Sequence, residues 1–224
     1  MTIRLIVATP VRGPGMLAPV SVGYSESLRK LSRVMPTETV AAAITFGCDV
    51  VRARNRVAAI ILREFGWATH VLWWDDDEWP EDVGVVGRML DTCEDVIACP
   101  YTNKVPPLHW VHDGDPSEVV DARGLLDVHS VGFGFTITST ACLRKLSTNA
   151  VMYRDLPRDE HVPDIFGMLY DEWHGERVLL SEDRAFCKRW RDLGGRVKVY
   201  GGPGNIIQHA GRAAYSARDM GVVT

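Results

Sequence analysis

Apolar runs typical of β-strands recur through the first half of the chain. They are rich in β-branched and aromatic side chains and are bounded by glycine, proline or acidic residues. These runs occupy residues 2–10, 39–47, 70–74 and 95–100. The run "HVLWW" at 70–74 lacks polar alternation, as expected for a strand that is covered on both faces. Pro10 is expected to end the first strand and to begin a loop that continues to residue 20.

Helical repeats separate these runs. Apolar residues recur at helical spacing over Ser25–Val34, and again between an N-cap at Asp49 and a stop at Gly66. A third helix is expected to open with Pro80, Glu81 and Asp82 and to end near Cys93. The resulting β-α-β-α-β order predicts a Rossmann-like, mainly parallel central sheet with helices on both faces.

The second half of the chain has a weaker pattern. "LHWV" at 108–111 and "LLDVHSV" at 125–131 predict an antiparallel pair, and "GFGF" at 132–135 predicts a turn. Helices are predicted at 140–146 and 181–195, and short strands at 196–200 and 205–209. Residues 147–180 have no strong period and are interpreted as a mobile or substrate-shaped segment. The predicted fold class is therefore α/β, with one Rossmann-like domain over residues 1–224 that includes a smaller antiparallel portion.

Composition and charge exclude several classes of protein. The apolar fraction of 46% is enough for a sizeable core, and a net charge of −4 gives no global attraction to nucleic acid or an anionic membrane. The start of the chain lacks a signal-peptide pattern, and no membrane span is expected, so the predicted location is cytoplasmic. The five cysteines are scattered and form no C-x-x-C pair, which argues against disulfides or a zinc knuckle.

The stretch "ATHVLWWDDDEWP" at 68–80 runs from an apolar strand into four adjacent carboxylates. Ligands of open α/β sheets bind beyond the carboxyl ends of the strands, where these acids fall. Carboxylates this close together repel one another unless a cation compensates, and oxygen ligands suit Mg²⁺ or Mn²⁺. Asp75 and Asp77 are therefore predicted to serve a metal-bridged nucleotide. Glu78 and Glu81 are instead interpreted as solvated acids that cap the following helix.

The order of the motifs resembles that of glycosyltransferases of the A-type fold, in particular family-2-like enzymes. The resemblance rests on Asp-x-Asp after an apolar strand, the Gly-rich "SVGFGF", the Glu-Asp pair in "SEDRAFCKRW" and the late "NIIQHAG", and it spans nearly the whole chain. It implies transfer of a hexose from a nucleotide-diphosphate sugar, such as a UDP- or GDP-sugar, with Mn²⁺ or Mg²⁺ as cofactor. Residues 1–100 would then be the nucleotide-binding half and residues 101–224 the acceptor-side half.

The resemblance also assigns roles around the donor. Asp77 and His209 are expected to bind the metal, Asp75 to contact the ribose, and Asp76 to assist through its charge or hydrogen bonds. Further residues expected to bind the donor are Thr9, Pro10 and Arg12 at the base and ribose, and Gly132 and Gly134 beside the sugar.

Arg54, in "VVRARNRVAA", matches an Arg-Asn element that meets the base or the diphosphate in the family. A guanidinium suits phosphate because it stays charged and donates two parallel hydrogen bonds. The alternative is that Arg54 lies on the solvent-exposed face of an amphipathic helix. This is the interpretation adopted for Arg52 and Arg56.

Glu182 and Asp183 are the predicted catalytic pair. In inverting members of the family the Asp is the general base that removes the acceptor proton. In a retaining enzyme the pair would instead orient the donor sugar, and the sequence leaves both outcomes open. It also leaves the acceptor open: a surface glycan and a modified nucleobase are candidates, although the acidic composition gives a nucleic-acid acceptor no support.

Two other functions remain as alternatives. A nucleotidyltransferase acting on a sugar phosphate would share the sheet and its carboxylates, but "ATPVRGPGM" lacks the Gly-rich triphosphate loop with Arg and Lys of such enzymes. A catalytically inactive module that binds a nucleotide sugar, or a partner protein, would keep the scaffold. The presence of Asp77, Asp183 and His209 argues against this second alternative.

Overall fold

The computed structural model describes residues 2–12, 22–35, 40–47, 49–113, 120–156, 159–173, 175–210 and 214–220. In chain order, the strands and α-helices are β1 (Leu5–Arg12), α1 (Val22–Val34), β2 (Val40–Gly47), α2 (Val50–Glu64), β3 (His70–Trp74), β4 (Glu78–Pro80), α3 (Val85–Asp91), β5 (Val96–Ala98), β6 (Leu125–Val128), β7 (Phe135–Ser139), α4 (Thr140–Asn149), β8 (Met152–Asp155), β9 (Glu160–Pro163), β10 (Leu169–Trp173), β11 (Glu176–Leu180), α5 (Glu182–Asp192), β12 (Val197–Tyr200), β13 (Ile207–Ala210) and β14 (Ala214–Tyr215). A short 3₁₀ helix, Ala217–Met220, follows β14.

A seven-stranded sheet in the order β2-β1-β3-β7-β5-β12-β6 forms the centre of the protein. Strands β1, β2, β3, β5 and β12 run in one direction, and β6 and β7 run against their neighbours. The sheet therefore contains both parallel and antiparallel pairs, and the fold is α/β. Its parallel β2-β1-β3 part is consistent with the predicted Rossmann-like half. Strand β7, which follows residue 100, lies between β3 and β5, which both precede it, so both halves of the chain build this one sheet.

Helices cover both faces of the sheet, as the apolar run of β3 predicts. On one face, Trp73 packs in a core that includes residues of α2, α4 and α5. On the other face, Trp74 packs in a core that includes residues of α1 and α3. Successive residues of a strand point to opposite faces, so the two adjacent tryptophans anchor the two cores separately. No helix of the described residues combines the length and the apolar character that crossing a membrane requires.

The helices of the first half follow the prediction closely. Asp49 caps α2, and its side chain accepts a hydrogen bond from the backbone N–H of Arg52 at 2.7 Å. The first helix begins at Val22, three residues earlier than predicted. Strand β1 continues past Pro10 to Arg12. Its pairing with β3 ends at Ala8, so among the described residues Pro10 has a β-partner on the β2 side and none on the β3 side.

The third helix ends near Cys93 as predicted, but its predicted start at Pro80 is wrong. Residues Glu78–Pro80 form β4, which pairs antiparallel with β13, and the backbone N–H of Glu81 donates to the carbonyl of Ile206 at 3.0 Å. The helix α3 begins only at Val85. Pairing with a strand from the far end of the chain overrides the local preference of proline and acids for a first helical turn.

The second half differs more from the prediction. The turn predicted at 132–135 ends in the unforeseen central strand β7, whose Thr136 and Thr138 interrupt the apolar pattern while lying fully buried. Thr138 Oγ1 accepts a hydrogen bond from Trp73 Nε1 at 3.0 Å, which explains how a hydroxyl is tolerated there. The predicted antiparallel pairing of 108–111 with 125–131 is confirmed only in part. An antiparallel bridge joins His112 to Val131 and the Gly132 N–H donates to the Val111 carbonyl at 2.9 Å, whereas β6 pairs with β12.

Residues 147–180 are more regular than their sequence suggests. After the end of α4 they form two β-hairpins, β8–β9 and β10–β11. These two-stranded ribbons keep many side chains exposed, so neither has the apolar face that produces a visible period. The helix α5 and the strands β12 and β13 follow as predicted, with Gly194 in the left-handed region at φ 84° just after α5.

Candidate functional site

A cluster of two carboxylates and one imidazole lies beyond the end of β3. The cluster consists of Asp77, Glu78 and His209, each of which offers one ligand atom within 4.8 Å of the others. Glu78 and His209 are opposite residues in the β4–β13 pair. Opposite residues of antiparallel strands hold their Cβ atoms ~5 Å apart, so the strand pairing itself brings these two side chains together.

The ring of His209 is oriented by the backbone. Its Nδ1 lies 2.6 Å from the carbonyl oxygen of Thr102, which can only accept, so Nδ1 carries the hydrogen. Burial lowers the pKa of His209, which favours the neutral ring and leaves a lone pair on Nε2. This Nε2 atom lies 3.5 Å from Glu78 Oε1 and 3.8 Å from Asp77 Oδ1. Three lone pairs thus face one another, which is an arrangement that a cation stabilises.

Glu78 corrects the sequence interpretation. Instead of being a solvated helix cap, its side chain is 1% exposed, and Oε2 is buried without a hydrogen-bond partner among the described residues. Burial, and after it the charges of Asp75 and Asp77, raises the pKa of Glu78 well above its usual range. Glu81 does lie on the surface, where it accepts a hydrogen bond from Gln208 and forms an ion pair with Arg218 rather than capping a helix.

The cluster fits a divalent cation on these grounds. Two carboxylates supply hard oxygen ligands and His209 supplies a neutral nitrogen, a set that Mn²⁺ accepts. The orphaned Glu78 Oε2 is the most direct observation, because a buried carboxylate oxygen without a partner is costly. Within the described parts of the chain, a positive side chain reaches the cluster from Lys104, whose Nζ pairs with Asp77 Oδ2.

Asp75 and Asp76 lie beside the cluster but outside its three ligands. The Asp75 backbone N–H donates to the carbonyl of Gly134 at 2.9 Å, and its carboxylate lies 3.3 Å from Arg54 Nη2. Asp76 is half-buried, and its Oδ2 has no hydrogen-bond partner among the described residues. Burial raises the pKa of both side chains, and the charge of Asp77 adds to the effect.

Arg54 links the Asp75 region to the start of α5. Its side chain is 2% exposed, and its Nη1 pairs with Asp183 and lies 3.1 Å from Glu182 Oε1. Its guanidinium carbon lies 5.7 Å from the centre of the Phe133 ring. Arg54 therefore lies at the site, but its guanidinium forms ion pairs with three carboxylates instead of being free to bind a phosphate.

The interpretation of Arg52 and Arg56 as a wet helix face is wrong. Both pair with Asp155, whose side chain is 1% exposed, and Arg56 is itself buried. These pairs attach the β8–β9 hairpin to α2. Asn55 also faces inward, and its Oδ1 accepts from the backbone N–H of Phe166 at 2.8 Å.

Asp183 has the environment of a base that works near neutral pH. Its Oδ2 accepts a hydrogen bond from the backbone N–H of Phe133 at 3.2 Å. Burial raises the pKa of Asp183 to about 7, although the Arg54 guanidinium opposes this shift. The charges of Glu182 and Asp75 add to the rise. A carboxyl group with this pKa can both accept and release a proton at physiological pH.

The two predicted glycines make room for protein side chains. A Cβ atom at Gly134 would overlap the Glu78 carboxylate, and one at Gly132 would overlap the Tyr101 hydroxyl. Tyr101 Oη in turn accepts from the backbone N–H of Gly134 at 3.1 Å. Glycine is therefore required here to pack the site, and direct contact with a donor sugar stays a prediction.

Of the predicted residues at the end of β1, Thr9 is linked to the region of the acids through Tyr24. Thr9 is buried, and its hydroxyl shares a hydrogen bond of 2.6 Å with Tyr24 Oη. The charges of Asp76 and Asp75 help to raise the pKa of Tyr24, after burial. Pro10 is half-buried, and of Arg12 only the backbone, at the end of β1, is described.

Sequence reasoning missed Glu78, Lys104 and Tyr101. For Glu78 the local pattern points the wrong way, because alternation of apolar and polar residues predicts Trp79 inside and Glu78 outside, whereas Glu78 is the buried one. Lys104 and Tyr101 come from an irregular segment whose path no local pattern specifies.

Comparison with known proteins supports the fold alone. No protein-family model and no curated protein match the chain. A solved structure titled "Crystal Structure of A197 from STIV" is similar, with a TM-score of 0.53 and 16% sequence identity, over 93% of this chain and 86% of that chain. At this identity the likeness shows a shared arrangement of helices and strands.

Proposed function

We propose that this protein is a metal-dependent glycosyltransferase of the A-type fold, which moves a sugar from a nucleotide-diphosphate donor to an acceptor. The observation that carries the proposal is the pairing of two chemical sites at one edge of the sheet. One is the candidate cation site Asp77, Glu78 and His209, and the other is Asp183, a carboxyl group suited to remove a proton; Asp75 interacts with the charges of both Asp77 and Asp183. Arg54 joins the two sites through Asp75 and Asp183.

The cation site serves the donor. Asp77, Glu78 and His209 would hold Mn²⁺ or Mg²⁺, which supplies positive charge for the diphosphate as it leaves. Asp75 is one-third exposed beside this site and can accept hydrogen bonds from the ribose hydroxyls. Lys104 sits at the same edge and offers a mobile positive charge to a phosphate once it leaves Asp77.

Asp183 serves the acceptor. Its Oδ2 is held by the Phe133 N–H and its other oxygen by Arg54, so the carboxylate is fixed before an acceptor hydroxyl arrives. Fixed orientation and a pKa near neutrality are the two properties that a general base requires. Glu182 shares Arg54 with Asp183 and keeps the guanidinium in place.

The first test is thermal stabilisation by a panel of nucleotide-diphosphate sugars, measured with Mn²⁺ and with EDTA. Ligand that binds the folded state raises the apparent melting temperature, so one donor should shift it and EDTA should erase the shift. A shift with nucleoside triphosphates alone, followed by pyrophosphate release, would instead identify a nucleotidyltransferase. Donor binding without turnover by any acceptor mixture or by water would identify an inactive binding module.

Two variants separate the proposed roles. Asp77→Asn should abolish metal-dependent donor binding, because it removes a charged ligand. Asp183→Asn should bind donor and Mn²⁺ normally and lose transfer and donor hydrolysis, because an amide cannot take up the proton. Equal loss of donor affinity in both variants would contradict this division of labour.

A further inference from the structure

A cleft lies beside α5, the helix that begins with the proposed catalytic pair. It has a volume of about 500 Å³ and is enclosed by α5, the β10–β11 hairpin and the segment around His129 and Ser130. The same helix α5 carries Glu182 and Asp183 in its first turn. The segment after Ser130 leads directly to Phe133, whose N–H holds Asp183. The cleft and the proposed base are therefore built on the same two pieces of chain.

Three basic residues of α5 line this cleft: Arg184, Lys188 and Arg191. They are spaced by four and three positions, so they lie along one side of the helix, and they are called the α5 stripe below. The helix rises ~1.5 Å per residue, so the stripe extends ~12 Å along the axis from Asp183. This is short enough for one molecule to touch the stripe and present a hydroxyl near Asp183.

Much of the positive charge of the α5 stripe is uncompensated. Lys188 pairs with Asp192 at 3.1 Å and lies 3.9 Å from Asp171. Arg184 is exposed, and neither it nor Arg191 forms an ion pair with any carboxylate in the described parts of the chain. The Arg191 Nε–H is buried and has no acceptor there either. A guanidinium with a buried, unused donor binds an anionic oxygen strongly.

Among the described residues, the acidic side chains of the cleft form no ion pair with Arg184 or Arg191 and have other neighbours. Asp113 accepts hydrogen bonds from the N–H and the hydroxyl of Ser130, at 2.6 and 2.7 Å. Asp171 is near Lys188, and Glu172 lies opposite Arg177 in the β10–β11 hairpin.

His129 adds a further donor. Its Nδ1 lies 3.0 Å from Arg191 Nη1, and arginine can only donate, so Nδ1 accepts and the hydrogen of the neutral ring is on Nε2. The contact with Arg191 thus places the ring hydrogen on Nε2, which can donate to a ligand. Arginine and histidine donors at one cleft form a site for phosphate or carboxylate oxygens.

We propose that this cleft is the acceptor site and that it selects an acceptor carrying an anionic group, a phosphate or a carboxylate, which Arg184 and Arg191 bind. The assignment of the bound molecule as acceptor rests on the proposed transferase function. The anion site itself does not.

The test uses three monosaccharides that differ in charge: glucose 6-phosphate, glucuronate and glucose. Their affinities are measured by isothermal titration with the full chain in EDTA, which removes the cation site from competition. We expect glucose 6-phosphate, glucuronate or both to bind at least tenfold more tightly than glucose, and the preferred one names the anionic group. Equal affinity for all three sugars, or no binding by the charged sugars, overturns the proposal.

The double variant Arg184→Gln/Arg191→Gln should lose at least tenfold in affinity for the charged sugar. The matched control is Arg29→Gln/Arg33→Gln, which removes the same charge from two exposed residues of α1 and should bind like wild type. An equal loss in both double variants would mean that only net charge matters and would overturn the site. Both variants should retain the wild-type melting temperature.

The two proposals fail separately. If charged sugars bind but no nucleotide-diphosphate sugar does, the anion site is supported and the proposed transferase function is refuted. If a donor binds with Mn²⁺ but the α5 stripe variant leaves the affinity for charged sugars unchanged, the transferase stands and the acceptor assignment falls. Asp77→Asn should leave the binding of charged sugars unchanged, which shows that they do not enter the cation site.

Discussion

Glu78→Gln should stabilise the metal-free protein and weaken its response to metal. The substitution keeps the size of a side chain that is 1% exposed and removes a charge that lies near Asp75 and Asp77. Replacing an uncompensated buried charge by a neutral group gains about 1–2 kcal/mol, and the new amide can donate to His209 Nε2. For a chain of this size the gain corresponds to a rise of about 2–8 °C in melting temperature.

The pH dependence of this gain has a definite sign. Burial raises the pKa of Glu78 in the folded state, so the folded protein holds a proton that the unfolded chain has released. The carboxyl group is therefore harmless below its unfolded pKa of ~4.3, and it destabilises the fold as the pH rises from there through its folded pKa. The advantage of Glu78→Gln in EDTA should be larger at pH 8 than at pH 5.

Metal should reverse the order of stabilities. At a Mn²⁺ concentration 100 times the dissociation constant, the wild type gains about 2.7 kcal/mol. If the loss of a charged ligand lowers the affinity 100-fold, the variant gains only about 0.4 kcal/mol at the same concentration. Wild type should then melt above the variant in Mn²⁺ and below it in EDTA.

Differential scanning fluorimetry of both proteins, at both pH values and with and without Mn²⁺, measures all of these quantities. The control is Glu81→Gln, which removes the same charge from an acid on the surface three positions along the chain. A Glu78→Gln protein that melts lower than wild type in EDTA and shows an undiminished Mn²⁺ shift would refute the assignment, because Glu78 would then act as a structural hydrogen-bonding acid.

Three further outcomes follow from the site. The kcat/KM of transfer should rise with pH through about 7, because Asp183 acts in its deprotonated form and burial raises its pKa to about 7; a flat profile from pH 5 to 9 would contradict this. Lys104→Met should tighten Mn²⁺ binding up to about fivefold by calorimetry, because Lys104 competes for Asp77 at a half-exposed ion pair; unchanged affinity would exclude that competition. Gly134→Ala should lower the free energy of unfolding by about 1–3 kcal/mol in denaturant, because its Cβ would overlap Glu78. The control Gly66→Ala, where a Cβ meets no neighbouring atom, should change that free energy by less than about 0.5 kcal/mol.

The sequence was sufficient where local pattern and tertiary environment agree. The apolar run of β3 and the N-cap and apolar spacing of α2 predicted these elements. Burial on one or both faces requires apolar residues at regular positions, and that pattern is visible in the sequence. The order of acids, glycines and histidine also predicted that Asp75, Asp77, Asp183 and His209 would lie at one edge of the sheet. In the structure Arg54 and the β4–β13 pair bring these residues together.

The sequence was insufficient where distant pairing decides the local structure. Glu78 has the local signature of a solvated helix cap, yet its pairing with β13 turns it inward. Strand β7 was not predicted because two threonines interrupt its apolar pattern. They are buried because their hydroxyls form hydrogen bonds with Trp73 and with the Gly132 carbonyl, which the local pattern does not reveal. Arg56 looks like a surface residue until Asp155 arrives from the β8–β9 hairpin.

The position of β7 also constrains how the chain can acquire its structure during synthesis. This strand fills the space between β3 and β5, pairing Val71 and Val96 with the same residue, Thr138. When only the first hundred residues have left the ribosome, β3 and β5 have no strand between them, and their facing edges leave backbone N–H and C=O groups unpaired. The sheet joins only after residue 139, and β12 extends it near residue 200. Non-local pairing of this kind slows folding, so the nascent chain should depend on protection from aggregation until nearly all of it has been made.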